Sequence, residues 1–406
     1  MRRVRPAVLS AVAVGALSLC AAAQARHFSG VIPDIPSGGR VHAQARAHAA
    51  NLPYGGGRVM HSNRTHLIFW APAGSGLGFE DRYLSLIKDF MANVAADSHR
   101  STNVYSLSGQ YSDAGGPAAY NSSYGGAILD TDGLPNNGCN EPVLSGPGWS
   151  RCMNDGQIQS EIARVIAEHH LPTGIHEIYF MVTPNGLGSC FGSGPTSCAL
   201  GGPNANRGYC GYHANTPDNR ILYAVIPFTA VAGHCQSGNP RPNGSAADPT
   251  ISDISHEHNE TVTDPFGDAW IDANGLENGD LCISSFGAVL GGSGNAIYNQ
   301  VIHGGHYYLQ QEWSNNDGGC AAQDEAASVS LLSSARAVRG RPVTFSATAG
   351  DPDGAIVSYD WFFGPGSGHH QRLTHTFKRA GLHRIVLRVV DSSGNFAFAS
   401  RTIRVG

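Results

Sequence analysis

The chain opens with a cationic start, an apolar run of Ala, Val and Leu, and a small-x-small site at Ala23-Gln24-Ala25. This pattern predicts a secretory signal peptide over residues 1–25, with an apolar run too short to span a bilayer. Residues 26–57 are polar, show no sustained periodicity, and read as a flexible leader or propeptide. Regular patterning starts at Thr65–Trp70, an apolar run suited to a buried strand. Tyr83, Leu84, Ile87, Phe90, Met91 and Val94 then recur at three- and four-residue spacing and predict a helix. Ile158, Ile162, Val165 and Ile166 form the stripe of a second helix, which Pro172 forbids from continuing. The runs HEIYFMVTP and RILYAVIPF predict two further strands. Gly, Pro and Cys crowd the chain between Pro184 and Asn219, which reads as a disulfide-pinned excursion without a regular element. Strand, helix, helix, strand, strand, helix in that order predicts an α+β (mixed α/β) domain over residues 58–322. Beyond it, residues 326–406 alternate Val, Thr, Ser and aromatic positions with frequent turns, as a small β-sandwich does.

Composition narrows the function classes. With Lys+Arg 26 against Asp+Glu 31 the net charge is -5, which argues against nucleic acid as a partner. No segment after the leader is apolar enough to be a membrane span. Removing Cys20 with the signal peptide leaves Cys139, Cys152, Cys190, Cys198, Cys210, Cys235, Cys282 and Cys320. An even set in an exported chain predicts disulfides, and Cys139–Cys152 and Cys190–Cys198 would close local loops. The absence of a C-x-x-C pair argues against a thiolate zinc site. Secretion to the extracellular space or periplasm is the expected location.

One stretch carries candidate chemistry: Ser255-His256-Glu257-His258-Asn259-Glu260-Thr261-Val262-Thr263-Asp264-Pro265. Asp248 and Pro249 predict the cap and first turn of a helix that stops before Pro265. His256 and Glu260, four apart, share a face and suit one metal ion, Zn2+ by the nature of the donors. Glu257 occupies the place that, in H-E-x-x-H hydrolases, belongs to the general base acting on the water the metal polarises. His258 points to another face and is expected to be no ligand. Downstream, Glu277 or Asp280 would complete the site, with Asp264 and His213 as competitors. The carboxylates around Asp272 and Asn274 would equally cradle a structural Ca2+, although the twelve-residue EF-hand register is absent. No nucleophile elbow, phosphate loop or dinucleotide fingerprint with the required spacing is present.

Two resemblances extend this reading. Asp351-Pro352-Asp353-Gly354, Tyr359-Asp360-Trp361-Phe362-Phe363-Gly364, His375-Thr376-Phe377 and the run Gly381–Asp391 resemble the polycystic-kidney-disease (PKD) repeat, with Pro365-Gly366 as a departure from it. That likeness implies an immunoglobulin-like module of secreted proteins, contacting an extracellular protein or polysaccharide surface. Ser255–Pro265, Ala269-Trp270, Glu277-x-Gly279-Asp280-Leu281-Cys282, Tyr307–Asn315 and Cys210-Gly211-Tyr212-His213 resemble the Exordium-like, phosphate-induced family over about residues 58–322. It implies extracellular or wall residence, with shared polar positions at His256, Glu257, Glu260, Glu277, Asp280 and His213, and carries no reaction with it.

The combined expectation is a secreted, zincin-like, metal-dependent hydrolase of peptidase type. His256 and Glu260 would bind the metal, Glu257 would serve as base, and the C-terminal module would position the enzyme. The alternative is a non-catalytic extracellular or wall-associated protein whose same residues hold a structural ion.

Overall fold

The computed structural model describes residues 28–33, 51–136, 138–139, 149–192, 197–200, 208–364 and 366–406. The expected signal peptide and Pro365 lie outside the described residues. Six strands form the central sheet: β1 (Phe28–Pro33), β2 (Asn63–Trp70), β3 (Ser122–Asp130), β4 (Glu177–Val182), β5 (Tyr209–Asn215) and β6 (Leu222–Ile226). Their order is β1-β5-β6-β4-β2-β3. β6, β4, β2 and β3 run parallel, whereas β5 is antiparallel to β6 and β1 is antiparallel to β5.

Three helices cover this sheet: α1 (Asp81–Ala96), α2 (Asp155–Glu168) and α3 (Ala247–Thr263). Ile178, Phe180 and Val182 of β4 join α1 and α3 in one core, while Tyr179 and Met181 join α2 in the other. A parallel strand covered on both faces has no polar side to present, so β4 and β6 read as unbroken apolar runs. Each fully buried Ile, Phe or Met in these cores contributes roughly 1.5–3 kcal/mol relative to exposure.

Four sequence expectations change. The excursion between Pro184 and Asn219 contains the seven-residue strand β5, hidden in the sequence because Cys, Gly and His interrupt its apolar pattern. β3 was likewise not expected, since Gly125 and Gly126 break the alternation of its side chains. α3 begins one residue before Asp248, and that carboxylate accepts from the backbone N–H groups of Asn243 and Ser245 from within the first turn instead of capping it. Parts of the segment read as a leader are also built into the fold. Residues 28–33 form β1, Leu52 is buried, and the N–H groups of Gly55 and Gly57 donate to the carbonyls of Ala269 and Asp268.

The disulfides are Cys139–Cys152, Cys190–Cys198, Cys210–Cys235 and Cys282–Cys320, so both local pairs expected from the sequence are present. No helix among the described residues is long and apolar enough to cross a membrane.

The C-terminal unit is a β-sandwich. One sheet contains β7 (Ser328–Leu332), β8 (Pro342–Gly350) and β10 (Arg372–Thr376). The other is built on β9 (Ile356–Phe362), β11 (Gly381–Asp391) and β12 (Phe396–Val405). Phe345, Trp361, Phe363, Phe377, Ile385 and Leu387 fill the space between them. The sandwich docks on the first domain through the turn before β12. His99 stacks on Phe396 at 4.1 Å, Phe396 N–H donates to His99 O, and Asn395 Nδ2 donates to Asp324 Oδ2 at 2.8 Å. A Cβ on Gly109 would lie 1.8 Å from Ser393 O, so only glycine admits this approach.

Burial and the carboxylates of Asp353 and Asp391 push the Asp324 carboxyl up to about 8 at this junction. The docked form therefore holds a proton that the free segment releases near 3.8, and docking weakens as pH rises through that window. In chelator-treated protein, proteolysis of the connection over residues 322–327 is expected to be faster at pH 9 than at pH 6. Asp324→Asn should flatten that dependence.

Candidate functional site

α3 differs from the other two helices in having every residue from Ala247 to Thr263 buried. A helix with polar residues on all faces avoids solvent only if each face meets a partner. Ile251, Ile254 and Val262 enter the apolar core. His258 is also satisfied locally: its Nε2 lies 2.9 Å from Asn63 Oδ1, and its ring packs against Tyr105 and Phe180. Burial lowers the His258 pKa to about 3 and keeps it neutral. It stands apart from the cluster, on the face predicted for it.

The remaining face of α3 carries Asp253, His256, Glu257, Glu260 and, just past the helix, Asp264. β5 contributes His213, the loop after α3 contributes Glu277 and Asp280, and the strand Glu312–Ser314 contributes Glu312. Asp280 is 8% exposed and the others 0% or 1%. All seven sequence candidates therefore converge. Asp253, Gln310 and Glu312 were missed as site residues. Asp253 was accessible to the same helical spacing argument, three and four residues before His256 and Glu257. Gln310 and Glu312 lie within the Tyr307–Asn315 stretch quoted from the sequence, but no spacing rule ties them to the helix; tertiary structure does.

The sheet positions His213 because alternate residues of β5 face α3. Gly211 and His213 do so, while Tyr212 and Ala214 enter the opposite core. His213 Nδ1 lies 3.3 Å from Glu257 Oε2 and 3.9 Å from Glu260 Oε2, and its Nε2 lies 3.5 Å from Glu277 Oε2. His256 Nε2 lies 3.1 Å from Glu260 Oε1 and 3.7 Å from Asp280 Oδ1. Most of these separations exceed hydrogen-bond length. They bracket the spacing of about 3.4 Å between donors arranged tetrahedrally at zinc–ligand distance. Two trios, His213 with Glu257 and Glu260, and His256 with Glu260 and Asp280, each keep their ligand atoms within 4.8 Å of one another.

The electrostatics also favour a cation. Burial first, then mutual repulsion with Asp280 and its neighbours, raises the pKa of Glu260 to about 7. Burial likewise holds the carboxyls of Glu257, Glu277 and Glu312 well above their ordinary range. Burial lowers the His213 pKa to about 3, whereas at His256 the carboxylates of Glu260 and Asp280 outweigh burial and raise it. Glu257 Oε1, Glu260 Oε2 and both oxygens of Glu277 and Glu312 lack hydrogen-bond partners. Buried acceptors left in that state cost free energy unless protonated or bound to a cation. The donor set, imidazole plus carboxylate, fits a zinc-class ion.

Backbone and disulfides hold the parts in place. Asp264 Oδ1 accepts from the N–H groups of Asp268 and Ala269 at 2.8 Å, turning the chain back toward the helix. Glu260 Oε1 accepts from Asp280 N–H at 2.8 Å. Cys282–Cys320 ties the Asp280 turn to the strand paired with Glu312–Ser314, and Cys210–Cys235 anchors β5 three residues before His213. β1 closes the edge: Ser29 pairs with His213 and Ile32 with Gly211, and the Ile32 side chain is buried.

With this geometry established, comparison with known proteins bears on the C-terminal unit. Residues 328–404 match the PKD domain family over both sheets of the sandwich. Those residues are a PKD domain. Collagenase ColA of Clostridium perfringens (strain 13 / Type A) is 28% identical over 116 residues, 28% of this chain and 10% of the collagenase, so the chain spans a tenth of that relative. The PKD1 domain of the Vibrio cholerae metalloprotease PrtV is 32% identical, covering 20% of this chain and 93% of that one with a TM-score of 0.17. A structure reported for the promiscuous specificity of carbohydrate-binding modules of the β-sandwich superfamily is 30% identical, covering 20% of this chain and 35% of that one, TM-score 0.20. The PKD domain and the four disulfides fit an extracellular protein.

Two glycines test the packing of the site. A Cβ at Gly211 would lie 2.8 Å from Glu257 Oε1, and one at Gly279 would lie 2.8 Å from both Glu260 Oε1 and the His256 ring. Gly211→Ala and Gly279→Ala should each destabilise the fold by about 1–3 kcal/mol. Denaturant unfolding against a surface control such as Gly78→Ala measures the difference; nothing lies within 4 Å of a Cβ at that position.

Proposed function

We propose that this chain is a secreted, metal-dependent hydrolase of peptidase type with a zincin-like first domain. One observation carries the reading: Glu257 and Glu260, each with an unpartnered carboxylate oxygen, lie with His213, His256 and Asp280 at ligand spacing inside a buried cluster. His256 and Glu260 would hold Zn2+, completed by Glu277 or Asp280. A bound zinc ion supplies Lewis acidity to a carbonyl and to water. Glu257 takes a proton at its carboxylate and returns it to the leaving amine. The Exordium-like resemblance of residues 58–322 belongs to this reading as a proposal about ancestry, and the PKD domain would hold the enzyme on an extracellular protein or polysaccharide surface.

The buried cluster has to open before substrate reaches it, and β1 is the edge element that covers it. Hydrolysis is therefore expected after cleavage of the chain between residues 34 and 50, and not before. Glu257→Gln in the cleaved protein should retain the ion at His256 and Glu260 and lose about 10²–10⁴-fold in peptide hydrolysis. Elemental analysis and a peptide-release assay on the same preparations check both.

The near-zero exposure of the cluster also favours a second reading, a structural ion, Zn2+ or Ca2+, in a non-catalytic extracellular protein. Metal retained, with no hydrolysis after cleavage, would establish that reading in place of the first.

A further inference from the structure

Glu260 belongs to both ligand trios, and it presents a different oxygen to each. Oε1 faces His256 Nε2 at 3.1 Å, with Asp280 Oδ1 at 3.7 Å from the same nitrogen. Oε2 faces His213 Nδ1 at 3.9 Å, with Glu257 Oε2 at 3.3 Å from the same nitrogen. From this arrangement we propose a two-ion centre, in which the Glu260 carboxylate bridges one divalent cation held by His256 and Asp280 and a second held by His213 and Glu257. The proposal rests on the metal reading above and deepens it, with the second ion, held by Glu257, taking over the activation of water assigned above to a free Glu257.

The second half of the centre stands on its own chemistry. His213 Nε2 lies 3.4 Å from the backbone carbonyl of Asp264. Both that carbonyl and the Glu257 carboxylate, 3.3 Å from Nδ1, are acceptors; an ion at Nδ1 selects the tautomer with the proton on Nε2, in which Nδ1 presents its lone pair toward Glu257 and Glu260. A carbonyl on the remote ring nitrogen is the usual orienting partner of a metal-binding histidine. Glu257 Oε1 and Glu260 Oε2 are buried and without hydrogen-bond partners, as a ligand site requires of its donors. At His256 the arrangement differs. Gln310 Nε2 donates to Gly279 O at 2.7 Å and lies 3.0 Å from His256 Nδ1, which places the imidazole proton on Nε2. An ion at Nε2 displaces that proton and requires the Gln310 amide to turn, so that Oε1 accepts from Nδ1–H. Oε1 has no partner where it stands. The His213 half thus takes a cation with its proton on Nε2, toward the Asp264 carbonyl, and the His256 half takes one after a single amide rotation.

Charge points the same way. Glu257, Glu260, Asp280, Glu277 and Glu312 are buried around two imidazoles. One divalent ion offsets two of these charges and two ions offset four. Carboxylate-bridged ions lie about 3.5–4 Å apart in two-metal hydrolytic sites, which is the span of one bridging carboxylate.

The test is metal stoichiometry in the full chain, loaded with Zn2+ and desalted, for wild type, His213→Gln and His256→Gln. Near-ultraviolet circular dichroism confirms that each variant is folded. Two ions per chain in wild type and one in each variant are expected. As a check that needs no variant, wild type loaded with Mn2+ should give the exchange-coupled electron paramagnetic resonance spectrum of a bridged pair. One ion per chain with an uncoupled Mn2+ spectrum overturns the two-ion centre while leaving the single-ion hydrolase reading intact. No bound ion in wild type overturns both.

Discussion

Burying ionisable side chains is the constraint around which the first domain is organised. α3 places Asp253, His256, Glu257 and Glu260 on one face in a region without solvent, and Asp264, Glu277, Asp280 and Glu312 are brought to the same place. Carboxylates in low dielectric repel one another and lose their hydration, so they survive only by holding protons, pairing with imidazolium or binding cations. The raised pKa values of Glu257, Glu260, Glu277 and Glu312 express that cost. A stability-only design would place apolar residues here. The proposed metal site rests on this retention of many acids in one buried cluster.

The rest of the domain keeps that cluster together. The parallel core of β2, β4 and β6 is a rigid platform on which α3 packs, and antiparallel β5 hangs from its edge with His213 turned toward the helix. Elements that arrive late in the chain carry no local preference for their positions, and disulfides pin them. Cys282–Cys320 fixes the Asp280 turn beside the Glu312 strand, and Cys210–Cys235 fixes β5. The same logic explains Gly211 and Gly279, where any side chain would enter the space that Glu257 and Glu260 occupy.

The PKD domain is a separate unit with its own aromatic core, yet it does not hang free. Gly109, His99, Asp324 and Asn395 form a contact in which backbone, stacking and a buried acid all take part. A domain held by such a contact keeps a defined orientation relative to its neighbour, which a long flexible linker would not give.

The sequence by itself determined the parts whose signal is local. Helical spacing identified α1 and α2, apolar runs identified β2, β4 and β6, and alternation with turn residues identified the sandwich. The H-E-x-x-E register placed His256, Glu257 and Glu260 on one helix and set His258 aside. Tertiary structure decided the rest. β5 and β3 carry glycines that erase a period-two pattern, so only pairing with their neighbours makes them strands. Residues 28–33 and 51–57 lack periodicity because their order comes from the sheet edge and from Ala269 and Asp268. His213, Gln310 and Glu312 lie 43, 54 and 56 residues from His256 along the chain, and no spacing rule links positions so distant. Their meeting depends on burial, on the order of strands in the sheet and on two disulfides, all of which are long-range interactions that leave no local trace.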